Sequence, residues 1–96
     1  MKWTDTCRYG TLREYEYSEE THRITITCHH VVYYSFSLKT GTEHVVSIDP
    51  DGGPNLGIGR TIAYGEKNIT IRDIVSHTHN RKKKRLVIVL DVAEEV

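Results

Sequence analysis

The sequence predicts an all-β fold: a small single-domain antiparallel β-barrel or sandwich of about six or seven short strands, with little or no helix. Three observations predict it. Apolar residues recur at every second position through the middle of the chain. No segment carries a helical stripe long enough to stand as an amphipathic helix. Turn signals built from Gly, Pro, Asn and Asp punctuate the chain at short intervals. A length of 96 residues suits one β domain spanning 1–96.

Leu12-Arg13-Glu14-Tyr15-Glu16-Tyr17 alternates tyrosine with charge and reads as an edge strand, its glutamates discouraging edge-to-edge association. Ile24, Ile26, Cys28, His30, Val32, Tyr34, Phe36 and Leu38 share one parity, while the opposite parity is mostly polar. That is a pleated surface with one buried face. At about 3.3 Å per residue the run is too long for a single straight strand in so small a domain. A bend or bulge is therefore required near Cys28-His29-His30. Lys39-Thr40-Gly41-Thr42 supplies a turn, and His44 to Ile48 returns from it.

Asp49-Pro50-Asp51-Gly52-Gly53-Pro54 is the strongest breaker in the chain. Beyond it Leu56, Ile58 and Ile62 share a parity, and Tyr64 to Asn68 holds another turn before Ile69, Ile71 and Ile74-Val75. Residues Ser76 to Arg85 read as a polar tip. Leu86-Val87-Ile88-Val89-Leu90 is apolar on both parities, which predicts a central strand covered on two sides. Asp91 to Val96 has room for one turn of helix.

Charge is balanced in total but not in place. Thirteen Lys+Arg offset thirteen Asp+Glu, which excludes a uniformly basic nucleic-acid coat and an acidic tail. Residues 1–59 hold five cations against eight carboxylates, and residues 60–96 hold eight against five. Most of that second excess is Arg81-Lys82-Lys83-Lys84-Arg85. Such a run can neutralise the phosphates of a nucleic acid or an anionic surface. Its plainer role is a solvated loop that keeps two hydrophobic strands from aggregating. No RNA-binding aromatic motif surrounds it, so any recognition would be of backbone and not of sequence.

Metal and catalytic chemistry find less support. Cys28, His30, His77 and His79 could converge if their segments paired, but one-residue spacing is no zinc-finger pattern. The plainer expectation packs His30 on the apolar face and leaves His77 and His79 in a solvated loop. Cys28 beside His29 cannot form a same-side nucleophile–base pair on a regular strand. The glycines between Gly52 and Gly59 lack the spacing and the succeeding helix of a phosphate loop, and read instead as a barrel corner. Cys7 and Cys28 leave one disulfide or two thiols open, with the thiols favoured because a single pair is weak evidence for an oxidising compartment. No metal or cofactor is expected.

The stretch Asp49 to Gly59 resembles short β proteins encoded by large DNA viruses, a likeness confined to those residues, and it implies a virion or assembly role. From the residues themselves, the expected function is a non-catalytic β module for protein–protein contact or for a larger assembly. Its contacts would be strand edges and the tyrosines Tyr15, Tyr17 and Tyr33, since aromatics with a polar tip suit interfaces. The partner would be another protein or a second copy. The alternatives are nucleic-acid or anionic-surface binding through Arg81 to Arg85, and a metal-binding protein using the Cys and His residues. No apolar run approaches the ~20 residues needed to cross a bilayer, and Met1 to Asp5 opens no signal-peptide pattern. A soluble intracellular protein is expected, cytoplasmic, nuclear or virion-associated.

Overall fold

The structure, a computed structural model, describes residues 1–6, 12–38, 44–49 and 56–95, with the side chains of residues 33–38, 44–49, 64 and 95 outside the description. Nine strands succeed one another in the described chain: β1 (Lys2–Thr6), β2 (Leu12–Ser18), β3 (Arg23–Cys28), β4 (Tyr33–Leu38), β5 (His44–Asp49), β6 (Leu56–Gly57), β7 (Thr61–Tyr64), β8 (Lys67–Asn80) and β9 (Arg85–Glu95). The fold is all-β, and no helix occurs among the described residues. Six strands form one antiparallel sheet in the order β1-β2-β3-β9-β8-β7, curled into a half-barrel, and β4-β5-β6 form a second, three-stranded sheet.

Alternation decides which side chains meet. Directly paired residues lie on one face of a sheet, so the register draws rows across the large sheet. One row runs Tyr17, Ile24, Leu90 and Ile74; the next Tyr15, Ile26, Ile88 and His77; the third Arg13, Cys28, Leu86 and His79. These rows form the inner face. Ile24, Ile26, Cys28, Leu86, Ile88, Leu90 and Val92 are completely buried there, and Val31 and Leu56 close over the same cluster.

β8 stays in register with β9 only by two irregularities, between Ile71 and Asp73 and between Ile74 and Ser76. Each extra residue flips the parity of the positions beyond it. Ile69 and Ile71 point inward, then Ile74, then His77 and His79, while exposed Arg72 and Val75 are the surplus positions.

Three turns show why the strands end where they do. Gly65-Glu66 joins β7 to β8 as a two-residue hairpin loop, with Gly65 at φ 57 in its first position, as a type II′ turn requires. The chain leaves β6 for β7, and so passes from one sheet to the other, through a turn closed by Arg60 N–H donating to Gly57 C=O at 3.1 Å. Gly59 sits there at φ 90, in the left-handed region that favours glycine. Gly52 and Gly53 lie outside the described residues. The break after Cys28 also falls where the run of alternation required one, with His30 at φ 60 between β3 and β4.

Several expectations are corrected. Leu12–Tyr17 is not an edge: β2 is paired on both sides, and β1 and β7 are the outer strands. β8 continues to Asn80, so the tip is only residues 81–84, and Arg85 opens β9. The two parity shifts had hidden this strand, because they scatter its inward residues between odd and even positions. β9 runs through Glu95 with no helical turn at its end. It is central, but only one of its faces is sealed: Val87 and Val89 on the other are half-buried. The turn expected at Lys39–Thr42 and the breaker at 50–54 lie outside the described residues, although β4 and β5 pair across the first of them, Leu38 opposite His44.

Candidate functional site

The basic segment is built as the loop of a hairpin. Asn80 pairs with Arg85, leaving four residues, Arg81 to Lys84, to reverse the chain. Asn80 Oδ1 accepts from Lys83 N–H at 3.1 Å, and Lys84 adopts the left-handed conformation at φ 52. The loop is also held from behind. Val31, itself buried, donates its N–H to Lys84 C=O at 2.7 Å, and its own C=O accepts from His79 Nε2 at 2.7 Å. That carbonyl partner fixes the proton of His79 on Nε2. One core residue thus clamps both the loop and the strand leading into it.

Arg81, Lys82, Lys83 and Lys84 are exposed, and Arg85 is half-buried. Lys67 pairs with Glu19 and Glu94, and His29 Nε2 lies 3.5 Å from Glu14 Oε1; among the described residues no such contact reaches Arg81 to Arg85. The four like charges of the turn and Arg85 beside them repel one another, and a structural loop would ordinarily mix signs to relieve that. The basic run is visible in the sequence as five consecutive cations, whereas nothing in the sequence marks Val31 as the residue that meets Lys84.

The tyrosines proposed for contact are placed differently. Tyr15 and Tyr17 face inward at 6% and 2% exposure, because alternation on β2 sends Glu14 and Glu16 outward. They are core residues and not a contact surface. Trp3 stacks on Tyr15 with ring centroids 5.0 Å apart, and the Tyr15 hydroxyl donates to Asp5 Oδ2 at 3.0 Å. Tyr17 donates to Glu94 Oε1 at 2.7 Å. Burial pushes both hydroxyls up to about 12, with the Arg13 guanidinium pulling Tyr15 back and the Glu94 carboxylate pushing Tyr17 further. Tyr33 opens β4, and its side chain lies outside the described residues.

The four metal candidates are not gathered. Cys28 is buried on the inner face in the row of His79, but Leu86 of β9 stands between them. Two inter-strand steps amount to about 9.6 Å, well beyond what one ion spans. His30 is exposed in the connection after β3 and is not packed on the apolar face. His77 and His79 sit on β8, half-buried, and not in a solvated loop. Among the described residues no group of three or more His, Cys, Asp or Glu side chains could hold a metal. Cys7, and with it the question of its pairing with Cys28, lies outside the described residues.

One open hollow of about 530 Å³ lies at β1, β2 and β3, lined by the stacked Trp3 and Tyr15 together with Lys2, Thr4, Glu14, Glu16, Thr25 and Thr27. No described helix is long and apolar enough to cross a membrane. Comparison with protein-family models, with curated proteins and with solved structures gives no match to this chain.

Proposed function

We propose that this protein is a non-catalytic β module that works by contact, and that its contact is the β8–β9 hairpin tip laid against an anionic macromolecule such as a nucleic-acid backbone. The observation that carries the reading is the absence, among the described residues, of any carboxylate paired with Arg81 to Arg85. Unscreened by the protein itself, these cations are available to displace the counterions of a polyanion. The Val31 clamp supports the same reading, because a loop held at both ends loses less freedom on binding.

Fluorescence anisotropy with labelled duplex DNA, titrated with salt, tests it. Five phosphate contacts would give a log–log slope near −4.5, equivalent to an affinity loss of about 500-fold between 50 and 200 mM salt. Each cation replaced by glutamine should flatten the slope by about one. Salt-independent binding, or full binding after all five replacements, would refute the reading.

A further inference from the structure

The tip has a counterpart on its own chain. Antiparallel pairing fixes which turns share an end of the large sheet. Ser18 pairs with Arg23, Arg23 with Asp91, and Asn68 with Glu95, so the turns at 19–22 and 65–66 lie at the far end of β9 from the basic tip. Glu19, Glu20 and Glu66 are exposed on those two turns. Lys67 answers Glu19 and Glu94, at 3.6 Å from each. Arg23 and Arg72 are matched in number by Asp91 and Asp73 in the adjoining rows. Glu20 and Glu66 have no ion pair among the described residues.

Among the described residues the cationic excess therefore sits at the tip, while the opposite end presents Glu20 and Glu66 outside any ion pair, beside exposed Arg60 and the Met1 ammonium that donates to Tyr17 C=O. The two principal turns are also alike in construction. Each spans four residues and ends in a left-handed, non-glycine residue, His22 at φ 54 and Lys84 at φ 52.

We propose that the acidic end of one copy receives the basic tip of the next, so that the protein associates head to tail. This deepens the contact reading, on which it rests, by naming one anionic partner: a second copy of the chain. Zero net charge removes the long-range repulsion that would keep copies apart. A heterologous contact of this kind passes from copy to copy, giving rings where the rotation closes and open chains where it does not, and in either case assembly grows with concentration. Because exposed charges act only over a Debye length, about 8 Å at physiological salt, the association belongs to low ionic strength.

Sedimentation with two variants of the full chain tests the idea. One carries Arg81→Gln, Lys82→Gln, Lys83→Gln and Lys84→Gln; the other carries Glu19→Gln, Glu20→Gln and Glu66→Gln. Wild type should form concentration-dependent oligomers in low salt and monomers in high salt. Each variant alone should stay monomeric, while an equimolar mixture stops at dimers, since only one competent contact remains. A monomeric wild type in low salt, a variant that oligomerises as wild type does, or a mixture that stays monomeric would each overturn the proposal. Labelled duplex DNA separates the two readings. If the acid-end variant binds DNA as wild type does while wild type shows no oligomers, head-to-tail association fails and the tip contact stands. If neither DNA nor a second copy engages the tip, both fail.

Discussion

Truncation along β9 offers the sharpest test of the architecture, because neighbouring valine and isoleucine residues on one strand meet different surroundings. Ile88 is fully buried between Ile26 on β3 and His77 on β8, with Leu86 and Leu90 two positions away on the same face. Paired strands on both sides hold the backbone, so the space left by Ile88→Ala cannot collapse. Isoleucine-to-alanine changes in such sites cost about 2–5 kcal/mol, and the rigid walls place this one near 4 kcal/mol. In a domain of this size that corresponds to a melting temperature lower by about 15–30 °C.

Val87 and Val89 face the other way and are half-buried. Alanine there removes two methylene equivalents, each only partly withdrawn from water, at about 1 kcal/mol per site. Urea denaturation monitored by circular dichroism, at constant m value, measures all three. If Ile88→Ala leaves too little folded protein, Ile88→Val gives a milder reading of about 0.5–1.5 kcal/mol. Equal costs on the two faces would refute the reasoning, because they would mean that the outer face of β9 is enclosed as well.

Two further outcomes concern titration, and a third concerns the turns. In an absorbance titration Tyr15 and Tyr17 should ionise near 12, above exposed tyrosines. Folded values raised above the ordinary value near 10 contribute stability that is complete below that pH and lost as pH rises towards 12, so Tyr17→Phe should blunt alkaline unfolding. Glu94, held below the usual carboxylate range by the Tyr17 hydroxyl and by Lys67, works in the opposite sense: its contribution is present above the ordinary glutamate range and fades as pH falls through it, so Glu94→Gln should weaken the acid dependence of unfolding. Lys84→Gly and His22→Gly should each raise the melting temperature, by relieving left-handed strain of about 1 kcal/mol. No gain at either turn would show that these residues are not strained.

The fold class and most of the core were legible because a pleated strand turns every second residue inward, and local order alone carries that signal. Ile24, Ile26 and Cys28 declare their face by spacing, whereas Leu86 to Leu90, apolar on both parities, declares a strand but not which of its faces is sealed. The basic run declared itself by composition. The extension of β8 to Asn80 did not, because two surplus residues reverse its parity and make a strand resemble a loop.

Tertiary structure alone decided what depends on strand order and register. It buried Tyr15 and Tyr17 by flanking β2 with β1 and β3. It separated Cys28 from His79 by one intervening strand, and it set Val31 against Lys84. Such relations join residues far apart in sequence, and the pairing that creates them is chosen by the total burial of the curled sheet, which no single stretch of residues expresses.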